Sequence, residues 1–311
     1  MQIFATEKIR AWDEYTIQHE PISSLDLMER AAAACFEWLT QEGYNDKNFS
    51  VYCAKGNNGG DGLAIARMLA QSGHRVAVNN LGFGHKGTHE FQANLARLHE
   101  TSAEIRFISE ENAIYPPEPG HALIDALFGS GLSRPLDGLS ARLVERMNES
   151  GNEIIAIDIP SGLFVDRSSR NNTVVRAAHT LSFQCYKPAL LLPENAEYFG
   201  EVHILDIGLH PDFLPENSSA LQWIDAALVK TILKPRKKFA HKGDFGHAAL
   251  AAGSAGMMGA AVLCARACLR SGVGKLTCHI PAAGNNIMQV AVPEAMCKVE
   301  EGSNFIIHFS S

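Results

Sequence analysis

Short apolar runs alternate with helical runs between residues 48 and 208, and this alternation constrains the fold more than any other feature of the sequence. The run 48–55 (NFSVYCAK) precedes a glycine-rich stretch and a helical run, and the apolar run 74–82 (HRVAVNNLG) follows them. Further strand-like runs lie at 103–109, 121–129, 152–162, 179–185 and 200–208. Strands that alternate with helices of about 10–15 residues indicate a parallel sheet covered on both faces. The sequence therefore predicts a doubly wound α/β domain that extends to about residue 215.

The flanking segments complete the predicted organisation. Two helical stretches, 6–20 and 23–43, precede the first strand, and a break rich in proline and charge, 210–220, follows the last one. A second βα unit then has strands at 247–253 and 274–281 and a helix at 260–272. Because composition and pattern change at the break, we predict a first domain over residues 1–218 and a second over 219–311.

Composition excludes several classes of function. Of the 311 residues 46% are apolar, and the formal charge of −7 argues against general affinity for nucleic acid or an anionic membrane. The basic cluster 234–242 (KPRKKFAHK) is interpreted as a solvated linker. No apolar run reaches about 18 residues, and no signal-peptide core is present, so we expect a cytoplasmic protein. Buried free thiols are the expected state of Cys35, Cys53, Cys185, Cys264, Cys268, Cys278 and Cys297.

Three strand ends carry unusual chemistry. They are the glycine-rich stretch 56–62 (GNNGGDG), the segment 129–135 that follows Asp125, and the turn 157–163 (IDIPSGL). In an open parallel sheet, ligands bind outside the carboxyl ends of the strands, so these segments are expected to meet. Glycines and exposed N–H groups at helix starts suit phosphate or pyrophosphate, and carboxylates without a histidine or cysteine set suit a hard cation.

Each of these features also has a structural interpretation. Asp61 could cap its helix, and Gly56, Gly59 and Gly60 could serve only a tight turn. Asp125 is harder to explain in this way, because it lies in an apolar run where a carboxylate needs a donor or a cation. Asp158 ends an apolar strand beside a Pro-Ser-Gly turn, a position typical of an acid/base residue.

The motifs GNNGGDGLAIARML, DALFGSGLSRPLDG and AIDIPSGL together resemble those of the NAD(P)H-hydrate epimerase family, the YjeF N-terminal domain. The segment SFQCYKPALLLPENAEYFGEVHILDIGL is similar to the closing segment of that family. The resemblance covers about residues 5–210. It implies a Rossmann-like three-layer α/β/α fold and an isomerase that interconverts the R and S forms of hydrated NADH and NADPH in nicotinamide-nucleotide repair.

The resemblance also implies the site residues. Asp158 would contact the altered nicotinamide ring and act as the catalytic acid/base group. A potassium ion would be held by Asn58, Asp125 and Ser161. The role of Lys187 stays open between a ligand contact and a solvated lysine. Substrate-binding residues would be Asn57, Asn58, Gly59, Gly60, Asp61, Gly129, Ser130, Gly131, Leu132, Ser133, Arg134, Pro135 and Asp158.

The second domain resembles the start of an ADP- or ATP-dependent NAD(P)H-hydrate dehydratase, a ribokinase-like domain and a lyase. The resemblance to bifunctional nicotinamide-nucleotide repair proteins then covers the whole chain. Only about 80 residues follow Lys230, so we expect an incomplete domain without dehydratase activity, and ADP or ATP would be a cofactor only of a complete one. His241, Lys242 and Ala260 are interpreted as solvated or packing residues.

Two other functions remain to be compared with the epimerase. A non-catalytic module that binds nucleotides or proteins would be expected to lack the acidic residues Asp61, Asp125 and Asp158. A Rossmann oxidoreductase is disfavoured, because the first loop lacks the G-x-G-x-x-G spacing and no acidic residue ends the second strand. The family precedent also suggests a homodimer.

Overall fold

A computed structural model describes residues 2–82, 86–216 and 221–300. The chain divides into two compact units, 1–225 and 226–311, and each is described by itself. The break predicted after residue 218 lies shortly before this division. No helix in the described parts of the chain is long and apolar enough to cross a membrane.

The described residues of the first unit form nine strands. They are β1 (Gln2–Ile3), β2 (Phe49–Cys53), β3 (Val76–Leu81), β4 (Glu104–Ile108), β5 (Ala122–Ala126), β6 (Ile154–Ile157), β7 (His179–Phe183), β8 (Glu201–Leu205) and β9 (Leu221–Gln222). Seven of them form one parallel sheet in the order β4-β3-β2-β5-β6-β7-β8, and β1 pairs with β9 separately. Each apolar run predicted as a strand of the first domain is a strand of this sheet, so the predicted α/β fold is confirmed.

Helices accompany the sheet of the first unit. They are α1 (Thr6–His19), α2 (Ser24–Gln41), α3 (Asn57–Gln71), α4 (His89–Leu98), α5 (Gly138–Glu149), α6 (Ala196–Phe199) and α7 (Phe213–Glu216). Helix α2 starts with a capping box, in which the Ser23 hydroxyl oxygen accepts from the Asp26 N–H and the Asp26 carboxylate accepts from the Ser23 N–H. One large core lies under α2 and α3, where Trp38, Leu63 and Val51 are buried together.

Helix α3 starts earlier than the sequence suggested. The glycine-rich stretch was expected to be a loop, with the helix beginning at Asp61, but α3 begins at Asn57. The reason is close packing. A Cβ atom on Gly59 would overlap the Ala54 carbonyl group, and one on Gly60 would lie 2.7 Å from the Met28 sulfur. The glycines let the first turns of α3 sit directly against neighbouring chain segments.

The second unit contains a small parallel sheet in the order β10-β11-β12. Its elements are α8 (Ala226–Ile232), β10 (His247–Ala251), α9 (Gly259–Arg270), β11 (Lys275–Pro281), α10 (Asn285–Ala291) and β12 (Met296–Glu300). The sequence predicted β10, α9 and β11 but did not identify α10 or β12. Apolar side chains such as Met257, Leu263 and Val290 are largely exposed in this unit. Most of the segment 297–311 (CKVEEGSNFIIHFSS) lies outside the described residues.

Candidate active site

The three polar strand ends meet at one edge of the main sheet. Strands β2, β5 and β6 are neighbours, and the chain reverses its direction of winding between β2 and β5. A crevice at such a switch point is the usual ligand site of an open α/β sheet. Here it is a cavity of about 760 Å³, within the usual range for small-molecule sites.

Asp158 lies at the edge of this cavity, directly after β6, and its carboxylate is fixed by two contacts. Oδ1 lies 2.8 Å from the Lys187 Nζ, and Oδ2 accepts a hydrogen bond of 3.1 Å from the Ser130 N–H. The backbone of Asp158 has φ +67°, in the left-handed region that aspartate and asparagine tolerate better than most residues. The strand end therefore aims one fixed carboxylate at the cavity.

Lys187 is a buried counterion of this carboxylate. Its side chain is 0% exposed, and its ammonium group also donates to the Ser182 hydroxyl at 2.8 Å and the Phe183 carbonyl at 2.7 Å. These three contacts use all three N–H donors of the ammonium group. The interpretation of Lys187 as a solvated lysine is wrong, because the segment that follows β7 places its buried side chain against Asp158.

Two further carboxyl groups lie near Asp158. Asp13 projects from α1 into the cavity, and burial together with repulsion from Asp158 raises its pKa to about 7. Asp61 also lines the cavity, and burial and then the charges of Asp158 and Asp13 raise its pKa well above the usual value. Asp61 does not cap its helix, because the N-cap residue of α3 is Gly56. Three acidic side chains thus line one cavity, and the buried Lys187 ammonium group contacts one of them, Asp158.

Asp125 lies behind the cavity wall, fully buried on β5. Its carboxylate accepts from the Ser161 hydroxyl at 2.6 Å, from the Ser161 N–H at 2.8 Å and from the Leu127 N–H at 3.2 Å. Burial outweighs these hydrogen bonds and raises the pKa of Asp125 to about 6. Protein donors therefore supply hydrogen bonds to this buried carboxylate.

Asn58 lies in the first turn of α3 and lines the same cavity. It is buried, and neither its amide oxygen nor its amide nitrogen has a hydrogen-bond partner among the described residues. A Cβ atom on Gly129 would lie 3.2 Å from both the Asn58 oxygen and an Asp158 oxygen, so the three residues adjoin each other. An unpaired buried amide of this kind indicates that a ligand group or an ion belongs beside it.

Comparison with known proteins identifies the family. Residues 24–189 match the family model described as YjeF-related protein N-terminus. The chain belongs to this family. The NAD(P)H-hydrate epimerase of Limosilactobacillus fermentum is 32% identical over 208 residues, which are 66% of this chain and 96% of that protein. The resemblance inferred from the three motifs is therefore confirmed.

The similarity extends into the second unit of the YjeF-related chain. The bifunctional NAD(P)H-hydrate repair enzyme of Vibrio cholerae is 32% identical over 293 residues, which are 94% of this chain and 58% of that enzyme. The chain thus spans a little over half the length of such relatives. The crystal structure of the yeast protein ynu0 (YNL200c) matches with a TM-score of 0.59 at 20% identity, over 73% of this chain and 98% of that one, and shares the fold.

The cavity of this YjeF-related domain contains most, but not all, of the predicted site residues. Its lining includes Asn57, Asn58, Asp61, Asp158 and residues 129–134. Gly59, Gly60 and Pro135 do not line it. Gly59 and Gly60 face Ala54 and Met28, where they serve helix packing. Asp125 and Ser161 lie behind the lining and contact each other.

The sequence reasoning missed three lining residues that carry charge, Arg10, Asp13 and Lys55. Asp13 lies four residues after Ile9 and three before Thr16, both buried on α1. An acidic residue on the buried face of an amphipathic helix is a signal that could have identified it. Arg10 precedes it, and one of its guanidinium nitrogens would lie 2.8 Å from a Cβ atom on Gly131. Arg10 is thus adjacent to the segment 129–135.

The packing of α3 gives a testable prediction for this domain. Gly59→Ala is expected to destabilise the fold by about 1–3 kcal/mol, because a Cβ atom there overlaps backbone that cannot move freely. Gly56→Ala is the matched control, since a Cβ atom at Gly56 meets no atom within 4 Å. The measurement is the free energy of unfolding in urea. Equal stability of the two variants would contradict the packing argument.

Proposed function

We propose that the first unit is an NAD(P)H-hydrate epimerase, an isomerase that interconverts the R and S forms of hydrated NADH and NADPH. The observation that carries the proposal is the fixed Asp158 carboxylate, held by Lys187 and the Ser130 N–H at the edge of the cavity. The name of the Limosilactobacillus fermentum relative, similar over almost its full length, supports the same activity.

The chemistry requires that one C–O bond break and form again at a single carbon centre, with a proton transfer in each step. Hydration of the dihydronicotinamide ring places a hydroxyl group on C6, next to the ring nitrogen, so that C6 is a hemiaminal carbon. When this hydroxyl group is protonated it leaves as water, and the nitrogen lone pair stabilises the planar cation that remains. Addition of water to the opposite face, with loss of a proton, gives the other epimer. An acid and a base positioned in the site accelerate both steps.

Asp158 and Asp13 are suited to these two roles. Asp158 is paired with the buried Lys187 ammonium group at 2.8 Å, and this fixed position suits it to the role of base. Asp13 has a pKa raised to about 7, so a large fraction of it is protonated near neutral pH and can donate a proton. A pair of carboxyl groups held in different protonation states is the general arrangement for acid and base roles in one site.

The remaining lining suits the diphosphate of a dinucleotide. The amino end of α3 opens into the cavity at Gly56 and Asn57, where first-turn N–H groups lack helical partners. Arg10, Lys55 and Arg134 add positive charge to the same lining. N–H groups at a helix start, together with cations, favour phosphate binding.

We also propose a potassium site beside the cavity. The unpaired Asn58 oxygen lies in the cavity lining, and the Asp125 carboxylate and Ser161 hydroxyl contact each other behind that lining. Oxygen ligands of these kinds suit a hard monovalent cation. Bound there, K⁺ would supply a positive charge that offsets the burial of Asp125 and orders the turns carrying Asn58 and Ser161.

Removal of the Asn58 side chain tests this potassium site. In wild-type protein K⁺ is expected to raise the thermal unfolding midpoint relative to choline, the reference cation. At a hundredfold excess over Kd the expected gain in the free energy of unfolding is about 2.7 kcal/mol. Asn58→Ala is expected to lose this rise yet to match wild type without K⁺, because no described hydrogen bond is lost. Asn57→Ala is the control and should keep the rise. An unchanged potassium effect in Asn58→Ala would exclude Asn58 as a ligand.

The raised pKa of Asp13 predicts a pH dependence. Wild-type activity is expected to fall as pH rises through about 7, because Asp13 loses the proton that it donates. Stability should also decline between about pH 4 and 7, since the folded state holds this proton while the unfolded side chain, with its ordinary value near 3.8, has lost it. Asp13→Asn is expected to remove the alkaline fall in activity and to lessen the decline in stability, of which Asp125 and Asp61 cause the remainder because their pKa values are also raised. Glu14→Gln, a neighbouring control, keeps both effects. If the activity of Asp13→Asn still falls above about pH 7 as it does in wild type, Asp13 is not the group that donates the proton.

The direct test of the proposed function mixes the full chain with the purified R form and follows the appearance of the S form. We expect equilibration faster than the spontaneous rate in the presence of K⁺. If the folded protein binds the hydrate without accelerating epimerisation, the alternative of a non-catalytic binding module is favoured. If it neither binds nor accelerates, both interpretations of the cavity as a hydrate site fail.

The proposal concerns the first unit alone. A requirement for ADP or ATP belongs to the dehydratase family that the second unit resembles, and no dehydratase step is proposed here. We also propose a cytoplasmic location, because all seven cysteines are free, as is usual in a reducing compartment. A homodimer stays a prediction.

A further inference from the structure

Two histidines and a glutamate meet at the end of the main sheet that lies opposite the cavity. His179 is the first residue of β7, and it pairs in register with Glu201, the first residue of the neighbouring strand β8. His203 follows two positions later, so its side chain lies on the same face of β8 as that of Glu201. The cavity adjoins the carboxyl ends of these strands, so the cluster is separate from the proposed active site.

The spacing of the ligand atoms suits a metal ion. The His179 Nδ1 lies 3.1 Å from the His203 Nε2, and these nitrogens and a Glu201 carboxylate oxygen all lie within 4.8 Å of one another. Tetrahedral zinc with bonds of about 2.0–2.1 Å separates its ligand atoms by about 3.3 Å. The two nitrogens therefore need to move little, and Glu201 is exposed, so its side chain has room to turn towards them.

The surroundings hold the two imidazole rings in place. The Trp38 ring packs against both, with centroid distances of 5.3 Å to His179 and 4.7 Å to His203. A Glu153 oxygen lies 3.8 Å from the other nitrogen of His179, Nε2. A carboxylate near the second nitrogen of a ligating histidine is a common feature of metal sites, since it orients the ring and favours the required tautomer.

We propose that His179, His203 and Glu201 form a binding site for a divalent transition-metal ion of the zinc type. Two imidazoles and one carboxylate leave room for a water molecule as the fourth ligand. The ion would link the edge strand β8 to β7 and replace the His179–His203 hydrogen bond. Its expected role is to stabilise this edge of the sheet, because the ligands come from the last two strands.

Metal titration of the full chain, freed of metal by dialysis against a chelator, tests the site. Zn²⁺ is expected to bind by calorimetry, and Co²⁺ to give the visible d–d absorption of a tetrahedral complex with nitrogen and oxygen ligands. His179→Gln and His203→Gln should each weaken Zn²⁺ binding by more than about tenfold, and Glu153→Gln by about tenfold. His99→Gln, a substitution of an exposed histidine at the end of α4, is the control and should bind as wild type does.

Thermal unfolding provides a second measurement on the same variants. Zn²⁺ should raise the unfolding midpoint of wild type and of His99→Gln, but not that of His179→Gln or His203→Gln, even where those variants are less stable at the outset. An intense thiolate-to-cobalt charge-transfer band would assign the binding to cysteines and overturn the proposal. The proposal would also be overturned if neither histidine substitution changed the Zn²⁺ affinity, or if the protein bound neither Zn²⁺ nor Co²⁺. None of these measurements depends on epimerase activity.

Discussion

Replacing Asp158 with asparagine is expected to lower the epimerisation rate by about 10²- to 10⁴-fold, the usual contribution of a positioned acid or base. The amide has almost the shape of the carboxylate but cannot accept the proton that water must lose when it adds to C6. Asparagine also tolerates the left-handed backbone at this position, where φ is +67°, so the turn after β6 should keep its geometry. The measurement is the rate at which the pure R form converts to the S form.

A neighbouring aspartate provides the control for this substitution. Asp166→Asn changes an exposed carboxylate on the segment that follows the same turn, and it is expected to leave the rate unchanged. The unfolding midpoint of Asp158→Asn shows whether any loss of rate reflects loss of structure. A folded Asp158→Asn protein with the wild-type rate would remove Asp158 from the mechanism. The role of base would then have to pass to Asp61, which lines the cavity together with Asp158 and the proposed acid Asp13.

The strands of the main sheet could be predicted because local signals specify them. Residues 154–157 are consecutive apolar residues, and all four are buried in β6. The carboxyl ends of parallel strands share one edge, so Asp158 and the segments 56–62 and 129–135 could be brought together without knowing any distance. Family motifs then supplied candidate roles that spacing alone does not provide.

Contacts between distant segments could not be predicted in the same way. Lys187 and Asp158 are 29 positions apart, and only the path of the chain after β7 brings Nζ to 2.8 Å from the carboxylate. The sequence places the start of α3 too late because glycine weakens an isolated helix. In the folded protein, glycine is required at position 59 within the helix, because its backbone packs directly against Ala54. The pKa of Asp13 likewise depends on burial by other segments and on Asp158.

Substitution of Lys187 by methionine is expected to destabilise the protein by about 3–5 kcal/mol, the usual cost of removing one partner of a buried ion pair. Methionine fills similar space, so the loss is chiefly electrostatic. The Asp158 carboxylate loses its counterion, and the Ser182 hydroxyl and Phe183 carbonyl lose their shared donor. Urea unfolding measures the free energy directly. Activity should fall as well, because without the ammonium group the Asp158 carboxylate loses one of the two contacts that fix its position.

The double variant Lys187→Met/Asp158→Asn separates the ion pair from the packing of the lysine. If the charge on Asp158 causes the loss, removing it should restore part of the stability, with a coupling free energy of about 0.5–3 kcal/mol in the double-mutant cycle. Purely additive effects would instead mean that Lys187 acts through Ser182 and Phe183 alone. The two residues would then have to be treated as independent, and the carboxylate of the proposed base would need another source of stabilisation.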